Sequence, residues 1–116
     1  MLKNNNFASP EELWSEYLSA LKTGEEEYIK SVSLNGYNFT KTWLDANKYK
    51  QMCIDLGIGW SKSNLNINRV DDSSAIGHLR TDTDTKAYFY FGPTILIHFK
   101  RVNDNWAIEY ISFEGD

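Results

Sequence analysis

The sequence predicts an α+β domain in which three N-terminal helices pack on a curved antiparallel sheet of four to five strands. Two observations carry this prediction. Apolar residues recur at helical spacing in the first half of the chain, and from Asn64 onward the apolar period changes to two. The chain has 116 residues, which is the length of one domain. We therefore expect a flexible N-terminal arm at 1–8 and a single domain over 9–116.

The first predicted helix begins at Ser9 and ends at Gly24. Ser9 is a favourable N-cap, Pro10 suits the first helical position, and Glu12 completes a capping box. Gly24 suits the left-handed residue that closes many helices. The apolar residues between these ends form one stripe, which predicts the buried face: Leu13, Trp14, Tyr17, Leu18 and Leu21.

Two further helices are predicted before the sheet. Three glutamates at 25–27 predict the start of a short helix over 25–32, because negative side chains stabilise the positive N-terminal end of a helix. A third helix is predicted over 45–57, with Gly57 at its end and an apolar stripe that includes Met52, Cys53 and Leu56.

The second half of the chain alternates between apolar and polar residues, with turn residues at short intervals. Asn103 and Asp104 tolerate positive φ, so a two-residue hairpin is predicted there. That hairpin would place Phe99 opposite Ile108 and Ile97 opposite Tyr110. The strands are predicted at 64–70, 75–81, 85–91, 94–102 and 106–113.

The composition limits the classes of function that the chain can have and indicates its cellular compartment. The net charge is −4 and the pI about 5.1, and no basic stripe of the kind that nucleic-acid binding needs is evident, so no nucleic-acid partner is predicted. A single cysteine, Cys53, leaves no intramolecular disulfide, and the N-terminus has no apolar stretch of signal-peptide length. A cytoplasmic protein is therefore predicted. Aromatic residues make up 15% of the chain, enough to line a cavity as well as to fill a core.

Two stretches carry a resemblance to a known family. These are "WSEYLSALKTGEEEYIKSV", a helix, a glycine, an acidic run and a helix, and "ILIHFKRVNDNWAIEYISFE", a strand, a polar turn and a Trp-led last strand. With this order of elements, the chain resembles the nuclear transport factor 2-like superfamily of α+β cones. The resemblance implies a pocket inside the cone and a homodimer formed through the outer sheet face. The residues predicted for that dimer face are His98, Lys100, Glu109, Ile111 and Phe113.

The same resemblance bears on catalysis. In members similar to ketosteroid isomerase, a tyrosine at the position of Tyr17 stabilises an enolate oxygen, and an aspartate further on is the general base. Here the aspartate position holds Lys41, so half of that mechanism is missing and a non-enzymatic protein is favoured. An isomerase or dehydratase with a displaced acid, Asp45 or Asp55 working with Tyr17 and His78, stays open as an alternative. No cofactor is predicted.

The favoured function is the binding of a small apolar or aromatic molecule in the cone, and His78 and Arg80 suggest an anionic one. If the turn at 71–74 takes four residues, both side chains point into the cup, where a buried guanidinium needs an anionic partner. Two alternatives are favoured over this orientation: an ion pair between Arg80 and Asp82 or Asp84 at the rim, or a shifted register in which both side chains face water. The predicted ligand-binding residues are Tyr17, Trp43, Trp60, His78, Arg80, Tyr90, Trp106 and Tyr110.

A protein-binding module, such as a bacterial immunity protein or an adaptor, is the second hypothesis. It is favoured by the acidic balance and by the missing catalytic acid. Metal binding is not predicted, because two histidines twenty residues apart, without a carboxylate cluster, do not make a ligand set.

Overall fold

The computed structural model describes residues 7–25, 27 and 46–114. In these ranges the chain forms three helices and four strands, and the strands make one open antiparallel sheet in the order β1-β2-β3-β4. The predicted α+β class is confirmed. The elements are α1 (Pro10–Thr23), α2 (Ala46–Trp60), β1 (Leu65–Asp71), β2 (Ser74–Arg80), α3 (Lys86–Phe91), β3 (Thr94–Val102) and β4 (Asn105–Glu114). Most of the predicted second helix, over 25–32, lies outside the described residues.

Helix α1 has the ends that the sequence predicts. The Ser9 hydroxyl accepts the Glu12 backbone N–H at 3.2 Å. At the other end Gly24 takes a left-handed conformation, with φ of 69°, and its N–H donates to the Leu21 carbonyl at 3.0 Å. Both ends are closed by local hydrogen bonds, which explains why the sequence alone located them.

Helix α2 continues past its predicted end. Met52, Cys53 and Leu56 are buried as expected, but the helix runs through Gly57 to Trp60. The prediction that Gly57 ends the helix is wrong. A Cβ at Gly57 would lie 2.7 Å from the backbone nitrogen of Lys22 in α1, so this glycine permits close packing of two helices rather than a turn.

A bulge in β1 changes the register of the first hairpin. Arg69 pairs with Ala75 and Asp71 pairs with Ser74, which leaves Val70 as an extra residue with no partner across the strand. The turn that was predicted to take four residues, 71–74, therefore has only two residues between the paired Asp71 and Ser74. One extra residue in one strand shifts the pairing by one position beyond the bulge. Side chains there lie on the opposite face from the one that unbroken pairing would give them.

The consequence of the Val70 bulge reaches the far end of β2. Leu65 lies opposite Leu79, whereas a four-residue turn would have placed it opposite Arg80. Leu79 is buried against the helices, and both His78 and Arg80 are exposed on the other face. The prediction that His78 and Arg80 point into the cup is wrong for this reason.

A second bulge lies in β4. The hairpin at Asn103 and Asp104 forms as predicted, with positive φ at both residues, and Phe99 does lie opposite Ile108. Glu109 is then an extra residue, because His98 pairs with Tyr110.

The predicted pairing of Ile97 with Tyr110 is wrong, since Ile97 lies opposite Ile111. The Glu109 bulge turns Ile111 inward, where it is 4% exposed, and Tyr110 outward, where it is 42% exposed.

The stretch predicted as a strand over 85–91 is the short helix α3. Its residues have strand propensity, but Ala87 is buried beside Gly59 of α2, where a Cβ on the glycine would lie 2.6 Å from the alanine Cβ. The Asp82 carboxylate accepts the Asp84 N–H at 2.9 Å in the turn that leads into α3. Tertiary packing therefore overrides propensity here.

The core lies between the helices and one face of the sheet. Its largest fully buried side chains are Trp60, Trp106, Tyr17, Phe99, Leu13, Leu21, Leu56, Leu79, Ile95, Ile97 and Ile108. Phe7, which the sequence assigned to a flexible arm, is also buried, and its carbonyl accepts the Trp106 N–H at 3.3 Å. Residues 1–6 lie outside the described ranges. None of the helices described here is long and apolar enough to span a bilayer.

Candidate functional site: the outer face of the sheet

Three of the predicted ligand-binding residues lie in the packed core. Tyr17 and Trp60 have no exposed surface, and Trp106 is almost fully buried. The ring of Trp14 stacks on Tyr17 at 5.6 Å and lies 6.0 Å from Trp60. A side chain that lines a hollow wide enough for water keeps accessible surface, so these rings do not face such a hollow in this structure. Their role in ligand binding stays a prediction.

Trp106 is also covered from the edge of the sheet. The Arg69 guanidinium lies 5.0 Å from the centre of the Trp106 ring, at the distance of a cation–π contact. Arg69 also forms an ion pair with Glu11 of α1, with 3.6 Å between the charged atoms. This chain of contacts ties α1 to strands β1 and β4.

The remaining predicted ligand-binding residues are dispersed. His78, Arg80 and Tyr110 lie on the outer face of the sheet, the face opposite the helices. Tyr90 is exposed on α3, and Trp43 falls outside the described residues. The structure therefore does not bring the predicted set together around one cavity.

The groups suggested for a displaced-acid enzyme are also separated. Tyr17 is buried on the inner side of the sheet, and the His78 side chain is exposed on its outer side. Asp55 lies at a surface cleft, where its carboxylate accepts a hydrogen bond from the Gln51 amide at 3.1 Å. Lys41 and Asp45 lie outside the described residues. No shared site joins the three described groups.

The outer face has an apolar and aromatic centre. Ile76, His98 and Tyr110 form one row across β2, β3 and β4, with Leu96 beside them on β3. The imidazole of His98 stacks on the Tyr110 ring with 3.9 Å between ring centres, and its Nε2 lies 3.2 Å from the Ser112 hydroxyl. Leu96, Ile76 and His98 are each half-buried.

Polar groups surround this centre. Lys100 and Arg80 are exposed at opposite ends of the face, and Glu109 stands at the β4 bulge. Burial lowers the pKa of His98, and the nearby Glu109 carboxylate opposes that shift. The face therefore has the pattern of a protein interface, in which an apolar centre is ringed by polar residues.

The five residues predicted for the dimer face divide between the two sides. His98, Lys100 and Glu109 are on the outer side, Ile111 is buried in the core, and Phe113 pairs through its backbone with Ile95. The dimer role of all five stays a prediction.

Sequence reasoning missed Ile76, Leu96 and Tyr110 as outer-face residues. The two bulges at Val70 and Glu109 account for Ile76 and Tyr110, because unbroken alternation from the predicted turns would place both side chains on the inner face. A signal for Leu96 was present, because the run from Ile95 to Ile97 is apolar at all three positions and so covers both faces.

A pH dependence follows from the surroundings of His98. Because burial lowers its pKa in the folded chain, the unfolded chain binds more protons below the ordinary histidine range of about 6.5. The free energy of unfolding is therefore expected to fall as the pH is lowered from about 7.5 to about 5.5.

Urea unfolding of a His98→Gln variant over this pH range checks that expectation. The variant should lose most of the dependence of the free energy of unfolding on pH. His78→Gln, on the same face, is the matched control. If the free energy of unfolding of His98→Gln depends on pH as strongly as that of the wild-type chain, His98 is not the source of the pH dependence.

The described residues contain no group of three histidine, cysteine, aspartate or glutamate side chains that could hold a metal ion. Cys53 is buried in α2. Neither feature defines a site on the described part of the chain.

No known family model matches the sequence, and no curated protein matches it. Among solved structures, the chain is similar to a crystal structure from Xanthomonas campestris, named as a candidate calcium/calmodulin-dependent protein kinase II association domain. The similarity covers 100% of this chain and 99% of that chain, at 13% sequence identity and a TM-score of 0.44. No activity or partner follows for this chain from a similarity of that size.

Proposed function

We propose that this chain is a non-catalytic binding module of the nuclear transport factor 2-like class, which associates with protein through the outer face of its sheet. The observation that carries the proposal is the contrast between the two faces. The inner face is buried under the helices, and the outer face keeps Ile76, Leu96 and Tyr110 partly exposed in the middle of a polar surround. Apolar groups in this arrangement gain free energy when a partner covers them.

A second copy of this chain is the partner that fits the face. Lys100 and Arg80 carry positive charge and Glu109 carries negative charge on the same surface, so a two-fold axis can bring unlike charges together. The stacked pair of His98 and Tyr110 supplies a rigid aromatic anchor near the centre. The family resemblance implies the same mode of association.

The homodimer is tested by placing charge in the apolar centre. We expect the wild-type chain to sediment with twice its mass of 13.4 kDa. The double variant Ile76→Lys/Tyr110→Lys should weaken dimerisation about 30-fold or more, because central interface residues contribute about 2 kcal/mol or more. Both side chains are partly exposed, so the monomer should still fold.

Val102→Lys, at the hairpin end of β3, is the matched control because it is exposed but lies away from the centre. Sedimentation velocity over a range of concentrations measures each species. A wild-type chain that stays monomeric at every concentration, or a double variant that dimerises normally, would contradict the proposal.

Binding of a small apolar or aromatic ligand is the second candidate function. One observation favours it: the Thr81 hydroxyl is buried and has no hydrogen-bond partner among the described residues. Because a buried hydroxyl normally has a partner, a ligand oxygen is one group that could supply it. A ligand at this position would still have to displace packed side chains, which is why we place this function second.

A further inference from the structure

Helix α3 presents two aromatic rings to solvent. Phe89 is 77% exposed and Tyr90 is 43% exposed, and their rings contact each other edge to face with 5.8 Å between centres. The buried contact of Ala87 with Gly59 of α2 determines which side of the helix faces outward. Exposure of Phe89 is therefore a property of the packed fold, and it is costly for so large an apolar ring.

Two adjoining clefts extend this surface. One of about 280 Å³ is lined by Lys86, Phe89 and Tyr90. The other, of about 230 Å³, lies between α2 and the start of α3, and Lys86 borders both. Ile58, which is 48% exposed, and Lys62 line the second cleft. We call the surface formed by Ile58, Lys62, Lys86, Phe89 and Tyr90 the α3 patch.

The cleft over the aromatic rings favours an acidic occupant, because Lys86 is the one charged side chain among the described residues that line it. Neither Lys62 nor Lys86 forms an ion pair with any described residue, although the whole chain carries a net charge of −4. Asp55 and Asp84 line the second cleft but not the cleft over the aromatic rings, and the Asp55 carboxylate accepts a hydrogen bond from the Gln51 amide at 3.1 Å.

Burial raises the pKa of the Tyr90 hydroxyl, and the negative charge of the Asp55 carboxylate raises it further, so the hydroxyl stays a neutral donor. Asp84 adds one carboxylate to the rim of the second cleft. Because Asp55 and Asp84 stand on the same surface as the two lysines, an anionic membrane is a poorer match than a short acidic segment that can place its charges at the lysines alone.

We propose that the α3 patch docks an acidic segment of a partner protein that also carries a large apolar side chain. The apolar side chain packs on Phe89 and Tyr90 between the two clefts, and the carboxylates lie near Lys62 and Lys86. This surface lies on helices α2 and α3 and on the turn that follows α2, and it is separate from the sheet face proposed for the homodimer. Its occupation does not depend on self-association.

The proposal is tested with a displayed library of random peptides of about twelve residues, selected against the wild-type chain. We expect enriched peptides to combine an excess of Asp and Glu with Leu, Phe or Trp. A labelled synthetic copy of the most enriched peptide then serves as the probe in fluorescence anisotropy. Phe89→Ala should weaken its binding about tenfold or more, because exposed aromatic anchors concentrate binding energy.

Charge and location are tested by two further variants. Lys86→Glu should weaken the acidic peptide more than it weakens a copy in which Asp and Glu are replaced by Asn and Gln. Val70→Ala, an exposed apolar residue at the β1 bulge, is the matched control and should leave binding unchanged. Melting temperatures of all variants confirm that each is folded.

Several outcomes would overturn the proposal. These are no enrichment of peptides, enrichment without acidic residues, and binding that Phe89→Ala leaves unchanged. Concentration-dependent self-association that Phe89→Ala abolishes would assign the patch to a second copy instead. Phe89-dependent binding to vesicles of phosphatidylcholine and phosphatidylserine, without peptide binding, would assign it to a membrane surface.

Discussion

Replacing Trp60 by alanine is expected to lower the free energy of unfolding by about 3–5 kcal/mol, the range for removing a large aromatic side chain from a core. Trp60 has no exposed surface, and its ring lies 6.0 Å from the rings of both Trp14 and Phe91. It joins α2 to both α1 and α3 at one point, so no neighbouring side chain can fill the space without moving a helix. Urea denaturation followed by circular dichroism measures the loss.

The control for this prediction lies in the same helix. Ile58→Ala removes an apolar side chain that is half exposed, and it should change the free energy of unfolding by much less than Trp60→Ala. Trp60→Phe keeps an aromatic ring and should recover part of the loss. Equal effects of Trp60→Ala and Ile58→Ala would show that the Trp60 ring is not in a packed core.

A second large effect is expected at the β4 bulge. Ile111→Ala should lower the free energy of unfolding by about 2–4 kcal/mol, because the isoleucine side chain is buried in the core. Tyr110→Ala should cost less than about 1 kcal/mol in the monomer, since Tyr110 lies on the outer face. Unbroken alternation along β4 predicts the opposite order.

This comparison of neighbouring residues is therefore a direct test of the bulge at Glu109. The unfolding of both variants is to be measured at low protein concentration, so that loss of the proposed dimer does not add to the effect of Tyr110→Ala. A larger loss for Tyr110→Ala than for Ile111→Ala would mean that the strand has the unbroken register.

Local signals were sufficient for α1 and for the last hairpin. Ser9 and Gly24 each act through hydrogen bonds to residues within one turn, and Asn103 and Asp104 tolerate the positive φ that a two-residue turn requires. Such features depend on a few neighbouring residues, so they can be read from the chain without knowledge of the rest of the fold.

The candidate site was not predictable to the same degree. Alternation indicates which residues share a face only while the pairing is unbroken, and Val70 and Glu109 both interrupt it. Neither residue is a glycine or has another feature that marks a bulge. Each interruption moved candidate residues across the sheet: His78 from the inner face to the outer face, and Ile111 from the outer face to the core.

The α3 segment shows the same limit for secondary structure. Tyr88, Phe89, Tyr90 and Phe91 favour a strand by propensity, but the segment packs as a helix where Ala87 meets Gly59. A helix of six residues is not stable alone in water, so its formation depends on the packing that the complete fold provides.

The amino-acid order by itself determined the α+β class, the ends of the first helix, the last turn and most of the buried apolar residues, because each depends on local hydrogen bonding or on hydrophobic period. Only the tertiary structure decided which face His78, Arg80, Tyr110 and Ile111 occupy and that Phe89 is exposed. Bulges and close helix contacts set these positions. Both depend on how distant segments pack, and a difference of one residue in pairing reverses the face on which a side chain lies.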